Sequence, residues 1–174
     1  STTAAATIVE DPLEPTLLTR TIDPHPFVPA DSIGRQSRCE EILSIQAAGL
    51  AKRLDHTQAR TAVVGLSGGL DSTLALLVCH RAAQLMRLSP DHILAVTMPG
   101  FGTSDRTHQN ALDLPRKLGM STMDISIVPA VGQHLADIGH PLDRHDVTYE
   151  NAQARERTQI LLDLGNQIGG IAVG

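Results

Sequence analysis

Aromatic residues are nearly missing from this chain: they make up 2% of its 174 residues, and there is no tryptophan. A core must then be assembled from Ala, Leu, Ile and Val, which suits a parallel sheet covered by helices on both faces. Cysteine is scarce too. Cys39 and Cys79 are isolated, lie on predicted helices and form no Cys-x-x-Cys pair, so a zinc site or a disulfide framework is disfavoured and both read as buried structural thiols. No apolar run approaches the roughly 20 residues that cross a bilayer. The alanine-rich start lacks the charged and apolar regions of a signal peptide. A cytoplasmic protein with no membrane partner is expected. Positive charge is not in excess: 14 Lys and Arg against 19 Asp and Glu give a net charge of −5, which argues against a nucleic-acid partner. His108, His134, His140 and His145 show no metal-binding spacing.

What the chain does have is a marked loop. The apolar run Ala62-Val63-Val64-Gly65-Leu66 leads into Ser67-Gly68-Gly69-Leu70-Asp71-Ser72, and helix-forming residues follow from Thr73 to Val78. Strand, paired glycines and helix start make a phosphate cradle: Gly68 and Gly69 let bare N–H groups approach an anion. Ser72 and Thr73 stand where the helix's free amides and positive dipole end face the same point. Asp71 adds a carboxylate that would repel a phosphate unless a cation sat between them, so it suggests Mg²⁺ on a nucleotide. The loop lacks the lysine of Gly-x-x-x-x-Gly-Lys-Ser/Thr and the spacing of Gly-x-Gly-x-x-Gly. It resembles instead the Ser-Gly-Gly-x-Asp-Ser loop of the ATP pyrophosphatase (PP-loop) superfamily. That resemblance implies cleavage of ATP between its α and β phosphates, with residues 65–72 (Gly65, Leu66, Ser67, Gly68, Gly69, Leu70, Asp71 and Ser72) around ATP and pyrophosphate and Asp71 on the metal.

Residues 1–30, with five prolines from Pro12 to Pro29, read as a linker or strap from a preceding domain. Helices are predicted over 37–54, 72–87, 105–117 (capped by Ser104 or Asp105, stopped by Gly119), 130–138 and 149–165. Strands are predicted over 61–66, 92–98, 122–128 and 170–173. This alternation gives right-handed βαβ units and a parallel sheet. The superfamily resemblance implies a three-layer α/β/α domain of the adenine nucleotide alpha-hydrolase-like kind, strand order 3-2-1-4-5, with the fifth strand beyond Gly174. By fold analogy, Ala95–Met98 would border adenine and ribose.

The loop alone leaves asparagine synthetases, GMP synthetases and tRNA-modifying enzymes open, as well as a nucleotide-binding fragment without catalysis. A second patch narrows the field: Tyr149-Glu150-Asn151-Ala152-Gln153-Ala154-Arg155-Glu156-Arg157, followed by Gly169-Gly170-Ile171-Ala172-Val173-Gly174. By composition it fits a solvated, charge-stitched helix. It also resembles the Glu-Asn-x-Gln-Ala-Arg helix and glycine-flanked strand of NAD synthetases. Asn151 and Arg155 are spaced i, i+4 on one face, flanked by Glu150 and Arg157, and the resemblance implies that these four contact deamido-NAD⁺. Phe27-Val28-Pro29, the helix around Ile45–Leu54 and Met98-Pro99-Gly100-Phe101-Gly102-Thr103-Ser104 resemble the glutamine-dependent branch. Residues 31–174 would then be the N-terminal part of the synthetase domain, and a glutaminase or amidase domain before the linker would deliver ammonia.

The implied reaction converts deamido-NAD⁺ to NAD⁺ with ATP, Mg²⁺ and ammonia through an adenylated nicotinate carboxylate, releasing AMP and pyrophosphate, in a homo-oligomer. The chain departs from that branch in a short loop between Gly139-His140-Pro141 and Asp146-Val147. The family's threonine and metal-binding glutamate are expected just after Gly174, and no amidase triad can be assigned. His108, His134, His140 and His145 read as helix-surface or loop residues rather than ligands, with His140 of Gly-His-Pro singled out as a loop residue near the substrate helix.

Overall fold

The computed structural model describes residues 19–29, 31–103 and 105–174. Most of the proline-rich stretch and Ser104, named as a helix cap, lie outside the described residues. The strands β1 (Ala62–Leu66), β2 (Ile93–Thr97), β3 (Ser121–Asp124) and β4 (Ile171–Val173) form one parallel sheet in the order β3-β2-β1-β4. These are the first four places of the expected order.

Side chains alternate across β1, and the two faces are covered by different helices. Ala62, Val64 and Leu66 meet Leu76, Cys79 and Ala83 of α2 (Leu70–Leu85) and Ala111 of α3 (Asp105–Lys117). The long α1 (Ser32–Thr57) lies against α2, with Leu50 at the rim of the same core. On the opposite face Val63 and Val96 meet Val131 and Leu135 of α4 (Val128–Asp137) and Tyr149 and Ala152 of α5 (Val147–Ile168). Helices on both sides complete the three layers.

Several boundaries differ from the sequence reading, each for a local reason. α1 starts at Ser32 because the Asp31 carboxylate accepts a hydrogen bond from the Gly34 amide at 2.6 Å. α5 starts at Val147 because Asp146 caps it, accepting from the Thr148 and Tyr149 amides at 2.9 and 3.3 Å. The apolar run ending at Val128 is not all strand: β3 stops at Asp124, and Val128 already belongs to α4, with Pro129 in its first turn where the missing N–H costs nothing. Cys39 is exposed, contrary to expectation, because only a narrow stripe of α1 around Ala47, Leu50 and Leu54 faces α2. Cys79 is buried as expected, and burial pushes its thiol up to about 12, leaving it unreactive near neutrality.

Candidate functional site

β1 ends at Leu66, and the chain turns through Gly68, whose φ of +81° only glycine adopts without strain. Gly69 is the N-cap of α2, and Ser72 is the third residue of that helix. The loop is held from within. Ser72 Oγ lies 3.2 Å from Ser67 Oγ, accepts from the Ser67 amide at 3.3 Å and donates to the Gly69 carbonyl at 3.1 Å. Thr73 Oγ1 donates to the same carbonyl at 2.8 Å. These bonds present the first amides of α2 toward solvent, where helix geometry gives them no internal acceptor. Asp71 is exposed in the first turn beside them.

Above the carboxyl ends of β1 and β2 lies a cleft of about 450 Å³. One wall is Gly65, Leu66 and Ser67, another is Thr97, Met98 and Pro99, and Arg157 and Leu161 of α5 close the back. Crevices at the carboxyl ends of parallel strands, where the strand order reverses, are the usual ligand sites of such sheets. Thr97 and Met98, weighed in the sequence only as a border by analogy, are thus part of the wall. Thr97 is buried, and its hydroxyl donates to Asp124 at 2.7 Å, tying β2 to β3 at that end.

The four residues assigned to the second nucleotide do not share one place. Asn151 and Arg155 are exposed and line a separate, shallow and open groove along the outer side of α5, with Thr158, Gln159 and Leu162, all residues of that one helix. Glu150 is exposed in the first turn of α5. Arg157 turns the other way. Its Nε donates to the Met98 carbonyl at 3.2 Å, and its guanidinium faces the cleft that Ser67 lines. Burial lowers its pKa, and the Glu150 carboxylate partly offsets this. Helical arithmetic would have separated these residues. At about 100° per residue, Arg157 lies some 200° round from Arg155, and its i−4 neighbour is Gln153, which was quoted in the motif but assigned no role.

His140 sits at the root of the same helix, with Nε2 at 3.0 Å from the Asp146 carboxylate. Arg144 Nε reaches the other carboxylate oxygen at 2.9 Å. Partial burial disfavours the Asp146 charge, but the Tyr149 and Thr148 amides and His140 outweigh it and hold its pKa below the usual carboxylate value. His140 therefore helps to anchor the start of α5 and is not among the residues that line the cleft.

Among the described residues no cluster of three or more acidic, histidine or cysteine side chains forms a metal cage. The exposed carboxylate of Asp71, beside the free amides at the start of α2, is the kind of single donor that Mg²⁺ uses together with water and substrate phosphates. Asp71 would be the protein's carboxylate.

Comparison with known proteins bears on the family and the fold. The family model described as NAD synthase matches residues 42–174. A glutamine-dependent NAD(+) synthetase from Mycobacterium leprae is 44% identical over 95% of this chain, and one from Thermotoga maritima is 31% identical over 78%. The chain spans about a quarter of the length of these curated relatives, 26% and 23% respectively. Among solved structures, a glutamine-dependent NAD+ synthetase from Acinetobacter baumannii in complex with ADP superposes with a TM-score of 0.68 at 27% identity, covering 76% of this chain and 24% of that one. An NMN synthetase from Francisella tularensis gives 0.64 at 28% identity, covering 76% and 52%. With the loop, the cleft and the α5 helix in one parallel α/β sheet, and a family match over most of its length, this chain belongs to the NAD synthase family.

Proposed function

We propose that a protein carrying this chain amidates deamido-NAD⁺ to NAD⁺ with ATP, through an adenylated nicotinate carboxylate, releasing AMP and pyrophosphate. One observation carries the reading: Ser67 of the glycine loop and Arg157 of the α5 motif, far apart in sequence, line the same cleft. A carboxylate resists ammonia because its charge is delocalised and oxide leaves poorly. Adenylation supplies AMP as the leaving group. The amides at the start of α2 and the hydroxyls of Ser67 and Ser72 would stabilise pyrophosphate as it departs. Asp71 would hold Mg²⁺, which supplies charge neutralisation at the phosphates when bound. Residues 65–67 and 97–99 would border the rest of ATP. Positioning and electrostatics suffice, and no side chain need act as a nucleophile.

Asn151 and Arg155 would receive deamido-NAD⁺ in the outer groove, where a neutral amide and a guanidinium one helical turn apart suit ribose and phosphate. The relatives named glutamine-dependent NAD(+) synthetase, and their greater length, support ammonia drawn from glutamine by an amidase domain elsewhere in the protein. A dinucleotide is favoured over a mononucleotide acceptor because the family model that matches is described as NAD synthase and the curated relatives from Mycobacterium leprae and Thermotoga maritima are named NAD(+) synthetases. Within the described residues no helix is long and apolar enough to cross a membrane.

The test is pyrophosphate release. A protein carrying this chain should release pyrophosphate from MgATP only when deamido-NAD⁺ is present, and should release AMP and turn over repeatedly only when ammonia or glutamine is added as well. Release driven equally by aspartate or xanthylate would move the chain to another branch of the superfamily. Asn151→Ala and Arg155→Ala should each raise the KM for deamido-NAD⁺ about tenfold or more, since one polar contact to a charged ligand is worth roughly 1.5–3 kcal/mol. The KM for ATP should move less. A larger change for ATP would assign the outer groove to the wrong ligand.

A further inference from the structure

Among the described residues two polar side chains are buried, Thr97 at 2% exposure and Gln153 at 4%. Burying a carboxamide is costly unless the site gains from it, and both residues stand at the carboxyl end of β2. Gln153, Arg157 and Leu161 are spaced i, i+4, i+8 and form the inward stripe of α5. Leu161 closes on Gly65, where an added Cβ would come within 2.9 Å of it. Arg157 holds the Met98 carbonyl. Gln153 and Arg157 together close on Gly100: a Cβ there would lie 2.5 Å from Gln153 Oε1 and 2.8 Å from Arg157 Nη2.

Gly100 is not explained by its backbone. Positive φ occurs two residues later, at Gly102 (+85°), where a Cβ would meet nothing within 4 Å. Gly102 serves the turn, whereas Gly100 serves the close approach of α5. The turn also closes on itself. The Gly100 amide donates to Thr103 Oγ1 at 3.0 Å, and the Thr103 amide donates to the Gly100 carbonyl at 3.3 Å. Met98, Pro99, Gly102 and Thr103 are all cleft wall.

We infer that Gln153 is a positioning residue: with Arg157 it forms a polar clamp that accepts only glycine at position 100 and fixes the 98–103 turn as a wall of the nucleotide cleft. That the bound ligand is ATP rests on the function proposed above; the clamp itself rests on the close approach of α5 to Gly100 and on the Arg157–Met98 hydrogen bond. The two nearest groups opposing Gly100 are the far ends of the Gln153 and Arg157 side chains, and the third is Cδ1 of buried Ile127 at 3.0 Å, so Gly100→Ala displaces the clamp first and leaves the sheet intact.

The experiment compares wild type, Gly100→Ala, Gln153→Ala and the double variant by calorimetric binding of MgATP and by amide hydrogen exchange of the unliganded chain. Each single variant should bind MgATP about tenfold more weakly, the scale of one polar contact forfeited when the 98–103 wall shifts away from the ligand. Exchange should quicken at Gly100–Thr103 and stay unchanged in β1 and α2. The double variant should lose less than the product of the single losses, because truncating Gln153 removes the nearest of the groups that crowd the new methyl, leaving Arg157 Nη2 and Ile127 Cδ1 to be relieved. Wild-type MgATP affinity in both single variants, exchange quickened throughout the sheet, or strictly multiplicative losses would overturn the clamp. Failure of wild type to bind MgATP would sink the nucleotide reading instead, and the exchange comparison would still decide the clamp.

Discussion

Asp71→Asn should leave the chain folded and reduce Mg²⁺-dependent pyrophosphate release by about 10²-fold or more, the usual cost of removing one group that stabilises developing charge. The substitution is nearly isosteric, and Asp71 is exposed in the first turn of α2 rather than bound into the core. What changes is charge: a neutral amide is a much weaker ligand for a hard divalent cation. The loop should keep its shape, since the Ser67–Ser72 and Thr73–Gly69 hydrogen bonds do not involve position 71. Turnover measured across a Mg²⁺ titration, beside a thermal melt, separates the two effects. Wild-type turnover at limiting Mg²⁺ would remove Asp71 from the metal. A collapse of the melting temperature would instead make it a folding residue.

The largest effect on stability is expected at Gly170. A Cβ there would lie 2.6 Å from the Thr61 carbonyl oxygen and 3.3 Å from its carbon, backbone atoms that cannot swing aside. The same carbonyl accepts from the Ile171 amide at 2.9 Å, so the clash falls on the first rung joining β4 to β1. Gly170→Ala should destabilise the chain by about 2–3 kcal/mol, as overpacking commonly does. For a chain of this size, that is a fall in melting temperature of roughly 5–10 °C. Gly169 gives the control. It ends α5 at φ +63°, with nothing within 4 Å of an added Cβ. Gly169→Ala should therefore cost only the left-handed conformation, about 1 kcal/mol. The reverse order of the two losses would show that the β1–β4 approach is not what requires Gly170.

The features legible in the chain were those written in adjacent residues. The scarcity of aromatics and the alternation of apolar runs with helical stretches led to a parallel α/β sheet, because each element's pattern is a property of its own few residues. The glycine loop could be placed between strand and helix for the same reason. The i, i+4 spacing of Asn151 and Arg155 was enough to group them, and they do share a groove. Boundaries were misplaced where a single side chain decided them. Asp31 and Asp146 as caps lengthened α1 and α5, and Pro129 allowed a helix to begin inside an apolar run that reads as strand.

By itself, then, the sequence determined the layer architecture, the phosphate-cradle loop with its one carboxylate, and the family resemblance of the α5 motif. Only the tertiary structure decided which side of α5 meets the sheet. That choice sends Arg157 and Leu161 to the cleft and Gln153 against Gly100 behind its wall, and leaves Asn151 and Arg155 outside, dividing one contiguous motif between two sides of the helix. It also decided why position 100 is glycine. The physical reason is common to both: a helix's local pattern sets the angles between its side chains, but its rotation about its own axis is set by what it packs against. Here that is Met98, Gly100 and Gly65, residues far from α5 along the chain.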